Sequence, residues 1–182
     1  NQRLDPDRFV DDLKRANAEG QWAVNEILTQ AVSDPGAVLA GLGEPDTAGV
    51  NILHRAEDLT ILNVIWAPLM MLLPHNHNMW ASIGIYTGRE DNILWQREGE
   101  RIEAKRAASL LEKQVFSLGK DGIHSVINPI PRLTGAIHVY GGDFFAPGRS
   151  EWDAGTLTER PFDMEGLREK FREANRRFEA GG

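Results

Sequence analysis

The feature that most constrains the fold is a pair of histidines one residue apart. They open the stretch Pro74-His75-Asn76-His77-Asn78-Met79-Trp80-Ala81-Ser82-Ile83-Gly84-Ile85-Tyr86-Thr87-Gly88. On a helix, residues two apart point roughly opposite ways; on a strand they share a face. At ~3.3 Å rise per residue their Cα atoms would lie about 6.6 Å apart. Two imidazoles so placed can converge on one metal at roughly 2.1 Å. Ile83 to Tyr86 is rich in strand formers, and Gly88 supplies a turn. The expectation is a metal-binding strand entering a barrel.

Composition narrows the chemistry. The 182 residues suit one domain with a substantial core. A net charge of −7, a pI near 5.2 and no basic stripe argue against nucleic-acid binding. The most apolar stretch, Val64 to Leu73, is broken by Pro68 and falls short of the about 18 residues a membrane span needs. No signal-peptide pattern opens the chain, so a cytoplasmic location is expected. The chain has no cysteine, which leaves only nitrogen and oxygen ligands for a metal.

Along the chain, Asp5-Pro6 followed by Phe9 and Leu13 predicts a capped helix ended by Gly20. A second helix is expected from Gln21 to Ser33, with Trp22, Ile27, Leu28 and Val32 on its apolar face, and a short helical turn from Ala37 to Leu42. Short strands are expected at Val50–Leu53, Leu59–Trp66, Leu69–Leu73, along the histidine stretch, and at Ile93–Arg97. Others follow at Glu100–Ala104, Gln114–Leu118, Ile123–Ile127 and Gly135–Tyr140, with Gly88 to Asn92 as a hairpin turn. Leu167, Phe171, Ala174 and Phe178 predict a C-terminal amphipathic helix. The organisation expected is one domain: a helical region over 1–49, a β-barrel or jelly roll over 50–153, and a helical tail over 154–182.

Two further histidines accompany the pair in the barrel region. His124 lies in Gly122-Ile123-His124-Ser125-Val126-Ile127-Asn128, and His138 lies in Ala136-Ile137-His138-Val139-Tyr140. Either supplies the third nitrogen. His138 and Tyr140 share a strand face, which suits an imidazole and a hydroxyl that together hold a proton near a bound ligand. His54 reads as a surface or hydrogen-bonded histidine.

These segments resemble the two motifs of the cupin superfamily, whose fold is a double-stranded β-helix. His77 and Gly88 match the first motif, with Ala81 where an acid often stands, and His124 with Asn128 matches the second. His75-x-His77 with Trp80, Ile83-Gly84 and Gly88-x-Glu90, the His124 motif, and Ile137-His138-Val139-Tyr140-Gly141 are together similar to the thiol dioxygenases, especially their bacterial branch. The resemblance covers about Asn51 to Asp153. It implies Fe(II) on His75, His77 and His124, with His138 and Tyr140 as an outer pair near substrate. It also implies oxidation of a small thiol by O2 to a sulfinic acid. A ligand set without a carboxylate keeps the full 2+ charge and open positions for exogenous ligands.

The resemblance also bears on the substrate. The arginine of animal cysteine dioxygenases would fall near Val50, and no Arg or Lys occurs between Arg15 and Arg55. The mercaptopropionate-type enzymes place an arginine nine residues after the tyrosine, which here is Arg149. A guanidinium can grip a carboxylate through two parallel hydrogen bonds, so 3-mercaptopropionate is expected ahead of cysteine. On composition alone Arg149 reads as a surface arginine in a Pro-Gly loop. Trp80, Tyr86 and Met79 read as barrel packing, with pocket lining as the alternative. One departure stands out: the family's serine-histidine-tyrosine series has Ala136 in the serine position. The rival readings are a cupin metalloenzyme acting on a non-thiol substrate and a ligand-binding cupin without chemistry; a homo-oligomer fits any of them.

Overall fold

The computed structural model describes residues 2–181. Three helices lead the chain: α1 (Pro6–Asn17), α2 (Gln21–Val32) and α3 (Pro35–Leu42). Asp5 caps α1 by accepting from the backbone N–H groups of Asp7 and Arg8, and Pro6 fills the first turn, where a missing N–H costs nothing. Eleven strands follow: β1 (Gly49–Arg55), β2 (Thr60–Trp66), β3 (Met71–Asn76), β4 (Ala81–Thr87), β5 (Arg89–Glu98), β6 (Arg101–Leu111), β7 (Val115–Leu118), β8 (Ile123–Ile127), β9 (Thr134–Tyr140), β10 (Ser150–Trp152) and β11 (Glu159–Pro161). Helix α4 (Met164–Gly181) ends the described chain.

The strands form two antiparallel sheets, ordered β1-β2-β9-β4-β7 and β11-β10-β3-β8-β5-β6. From β2 to β10 the chain passes back and forth between them, pausing only at the β5–β6 hairpin. This interleaving is a jelly-roll, or double-stranded β-helix. The fold expectation is met by topology alone.

The two sheets are covered differently. Phe9, Leu13, Val24, Leu28, Val32 and Val38 of the helices cover the outer face of the first sheet, against Ile61, Ile65, Ile137 and Val139. Gly84 permits this close approach: a Cβ there would stand 3.0 Å from side-chain atoms of Leu28 and Val32. Strands β2 and β9 are buried along their whole length, on both faces. Between the sheets lie Leu62, Val64, Trp66, Leu94 and Val126, and α4 closes this core with Leu167 and Phe171. Phe171 stacks on Trp66 at 5.5 Å.

Several local expectations change. Residues 89–92 are not a hairpin turn but the start of β5, because β4 and β5 belong to different sheets and only Gly88 makes the corner. Its φ of +87° and the crowding of Thr134 suit glycine there. Strand β3 begins at Met71, since Leu69 takes φ +62° in the preceding turn. Helix α1 stops at Asn17, and Gly20 instead caps the start of α2. Trp22 is 59% exposed rather than part of the packed face. Strands β10 and β11 were not expected; each is three residues long, too short to leave a pattern. No helix among the described residues is long and apolar enough to cross a membrane.

Candidate metal centre

His75 lies on β3, paired across the strands with His124 of β8. A one-residue bulge interrupts this pairing between Leu72 and His75. It holds Leu73 and Pro74, a position where proline's missing N–H is tolerated. The extra residue lets Leu72 enter the core while His75, three residues on, faces the same way. The His75 ring donates from Nδ1 to the Leu73 carbonyl at 2.8 Å, which leaves Nε2 free. His77 lies just beyond the end of β3 rather than on the strand, and Asn78 turns the chain with φ +59°. The shared-face geometry is therefore replaced by a strand end and a turn, but the convergence stands. The three rings sit 4.6–5.0 Å apart, centroid to centroid.

One nitrogen from each of the three histidines lies within 4.8 Å of the others, and all three residues are buried. The Nε2 atoms of His77 and His124 are buried with no hydrogen-bond partner. A buried polar atom left unpaired is costly, and a metal ion would satisfy both at once. Burial first, and neighbouring positive groups second, hold His75 and His77 well below the usual histidine range. Burial lowers His124 to about 3, against the opposing influence of Glu90. Neutral imidazole is the form that binds a metal, so the residues present fit a divalent ion.

His138 and Tyr140 face the same interior from β9. The Tyr140 hydroxyl is 2.9 Å from His138 Nδ1, and the Tyr140 ring packs 5.0 Å from that of His77. Burial drives the Tyr140 phenol well above its ordinary value. On the far side of His138 stands Glu90, which is completely buried. Its Oε2 accepts from Trp66 Nε1 at 2.8 Å and faces His138 Nε2 at 3.2 Å, and its Oε1 accepts from Asn92 Nδ2 at 3.1 Å. Burial by itself would raise the Glu90 carboxyl, but the attraction of His138 and these hydrogen bonds together hold it below the usual range. Asn92 in turn places its Oδ1 2.6 Å from His124 Nδ1.

Arg149 is only 5% exposed, so it is not the surface arginine that composition suggests. Its guanidinium is sandwiched between Phe144 and Phe162, at 4.2 and 3.8 Å from their ring centroids. Nη1 donates to the Asn76 carbonyl at 3.4 Å, while Nε and Nη2 have no partner. Burial lowers its pKa to about 10, although Tyr140 and Glu151 oppose the shift. Glu151 is itself paired with Arg160 at 2.8 Å. The guanidinium is thus a nearly dry cation without a carboxylate of its own.

A cavity of about 20 Å³ is lined by His75, His138, Tyr140, Arg149, Phe144 and Phe162 among others, room for about one water. A larger cleft of about 550 Å³ runs past Leu94 to Arg97 and Ser117 to Ile123. It reaches Asn76 and Asn78 but none of the six residues singled out in the sequence. Size favours the cleft; the dry arginine, His75, His138 and Tyr140 line the small cavity, which is where ligand chemistry is concentrated.

All six sequence-derived residues, His75, His77, His124, His138, Tyr140 and Arg149, are buried. Trp80, Met79 and Tyr86 do not line the cavity; Tyr86 bonds Asn63 on the helix side of the first sheet. Asn128, matched to the second motif, donates to the carbonyls of Trp66, Ala67 and Arg132, and so secures a loop rather than the site. Glu90 and Asn92 read as turn residues in the sequence, where Glu90 enters only through the Gly88-x-Glu90 resemblance; no alternation with apolar residues marks the strand face they share.

No protein-family model and no curated protein sequence matches the chain. Solved structures do. An RmlC-like cupin protein from Methanocaldococcus jannaschii matches with 14% identity and a TM-score of 0.47, over 56% of this chain and 85% of that one. An oxalate decarboxylase variant from Bacillus subtilis gives 14% and 0.45, over 57% of this chain and 28% of the decarboxylase, so the chain spans little more than a quarter of that protein. An uncharacterised protein from Klebsiella pneumoniae with a double-stranded β-helix domain gives 11% and 0.44, over 66% and 90%.

Proposed function

We propose that the protein is a mononuclear non-haem iron(II) thiol dioxygenase that converts a small thiol carboxylate to its sulfinic acid, R–SH + O2 → R–SO2H. The observation that carries this reading is Arg149, a buried guanidinium with two unpartnered nitrogens, together with three converging histidines of which two have unpartnered Nε2 atoms. Holding an ion away from water costs several kcal/mol unless a partner repays it. A carboxylate arriving in the cavity would repay it with charge-assisted hydrogen bonds.

His75, His77 and His124 would hold the metal through their ring nitrogens. Iron(II), when bound, supplies oxygen activation and acidifies a coordinated thiol. The remaining work falls to the chain. Arg149 fixes the carboxylate end of the substrate, and Phe144 and Phe162 hold the guanidinium plane and exclude water. The Tyr140 hydroxyl, backed by His138, faces the substrate as a hydrogen-bonding group. These contacts would set the thiol end of the substrate at the three histidines, which is where proximity contributes most.

The lining also separates substrates. It contains no acidic side chain, and Glu90 behind it is already engaged by three neighbours. An ammonium group beside Arg149 would find no acceptor of opposite charge, so 3-mercaptopropionate is preferred over cysteine. A cavity of about 20 Å³ requires the lining side chains to shift as the substrate enters.

Oxygen consumption by iron-loaded protein across 3-mercaptopropionate, cysteine and cysteamine, with sulfinate detection, tests the activity. Absence of uptake with every thiol would end the proposal. Arg149→Ala should raise KM for 3-mercaptopropionate about 10- to 100-fold, the worth of a charge-assisted contact, and leave cysteamine nearly unchanged. Equal effects on both would remove the assigned role of Arg149.

A further inference from the structure

Glu90 sits on β5 with its side chain turned into the barrel, and among the described residues it is the only fully buried acid. Its hydrogen bonds have a direction that can be followed outward. Trp66 Nε1 can only donate, so Oε2 accepts, and an ionised carboxylate accepts at every position. Asn92 must therefore present its NH2 end to Glu90, which turns its Oδ1 toward His124 Nδ1. An oxygen at 2.6 Å requires the proton on Nδ1 and leaves Nε2 bare. Nε2 of His124 is one of the two orphaned nitrogens that converge with His75.

The second branch runs the other way. Glu90 Oε2 receives the Nε2–H of His138, so in the neutral ring Nδ1 is the acceptor and the Tyr140 hydroxyl donates to it. One oxygen lone pair of Tyr140 is then left toward the cavity. Ala136, with no hydroxyl, cannot hold His138, and Glu90 supplies the contact.

We propose that Glu90 is a positioning residue that fixes the ring tautomers of both His124 and His138, and so joins metal affinity to the orientation of the Tyr140 hydroxyl. The proposal rests on the three-histidine metal reading but not on a thiol substrate. Outer hydrogen bonds of this kind fix ligand tautomers, and their loss typically costs about 10- to 100-fold in metal affinity.

The test uses substitutions that reverse hydrogen-bond polarity at nearly constant volume. In Glu90→Gln the amide oxygen still accepts from Trp66 and His138, but the NH2 now meets the NH2 of Asn92. Asn92 must turn round, its NH2 faces His124 Nδ1, and the His124 proton moves to Nε2, where it blocks the metal. Cobalt(II) affinity measured by titration should fall about 10- to 100-fold. Adding Asn92→Asp restores an acceptor toward both the glutamine and His124 Nδ1, so affinity should recover. A role confined to packing would not be rescued.

Long-range 1H–15N correlations of the histidine rings in metal-free protein supply a readout independent of metal and turnover. The expected pattern is Nδ1–H for His124 and Nε2–H for neutral His138. Glu90→Gln should convert His124 to Nε2–H and the added Asn92→Asp should convert it back. The opposite tautomers in the unmodified protein, an unchanged cobalt affinity in Glu90→Gln, or no recovery in the double variant would each overturn the proposal. If the unmodified protein bound no metal while the tautomers matched, the metal reading would fail and the assignment to Glu90 would stand.

Discussion

The sheet that carries His75 and His124 exposes apolar side chains such as Met71 and Ile93 on its outer side, whereas β2 and β9 of the opposite sheet are buried on both faces. The first brings the ligand nitrogens together at a bulge and a strand end, where the chain can be adjusted without undoing the barrel. The second holds His138 and Tyr140 at the middle and end of a strand flanked by β2 and β4 and covered by helices. The difference teaches a division of labour. The candidate metal ligands lie on the tunable wall, and the groups that would orient around a ligand on the rigid one. Glu90 reaches across the barrel to His138 and, through Asn92 beside it, to His124, and so ties the two together.

That division can be broken experimentally. The largest effect should come from His124→Ala, which removes one of three ligands. Metal content after loading should fall to background while the thermal midpoint of the metal-free protein stays close to that of the unmodified protein. A collapse of the fold would mean that the ligand wall is not separable from the core. Ile137→Ala, on the helix side of β9, should do the reverse. Truncating a buried Ile costs about 2–5 kcal/mol, read by denaturant unfolding, with cobalt affinity retained.

An intermediate effect is expected from pH. The ligand histidines have pKa values below their unfolded value of 6.5, and for His124 the folded value is about 3. The unfolded chain therefore binds protons first as the pH falls, so stability rises with pH through the window from about 3 to 6.5 and is level above it. Inside that window His124 contributes up to about 1.4 kcal/mol per pH unit. Melting curves of metal-free protein against pH measure it, and an identical slope after His124→Ala would contradict the assignment.

Asn128→Ala should cost about 1–3 kcal/mol by stranding buried carbonyls, without altering metal affinity; a selective loss of metal would return Asn128 to the site. The smallest effect belongs to the exposed ion pairs of α4. Arg172→Ala removes contacts to Glu165 and Glu169, all three groups being about half or more exposed. Pairs held in water contribute little to stability, so a clear drop in the thermal midpoint would give α4 a role beyond covering the core.

Much of the fold is legible in the sequence. Nine of the expected strand and helix segments coincide with β1, β2, β7, β8, β9, α1, α2, α3 and α4 to within a few residues, because each carries its own periodicity or cap. Strands β10 and β11 were illegible because three-residue strands have no period to read. The turn assigned to residues 88–92 failed for a different reason. Polar residues usually mark a turn, but Glu90 and Asn92 are polar because the barrel interior needs them. Local composition cannot distinguish an acid facing water from an acid facing a buried histidine.

Nitrogen and oxygen ligands, four histidines and a tyrosine within or beside short strands, and helices flanking a small β-barrel could all be read from the sequence. These follow from residue type and short-range spacing, which neighbouring residues enforce. That Arg149 is dry and unpaired between two phenylalanines, and that His77 reaches the centre from a turn, emerged only from the folded chain. It alone also brought Glu90 between His138 and Asn92. Burial and hydrogen-bond direction are properties of residues brought together from distant parts of the chain, and no local pattern encodes them.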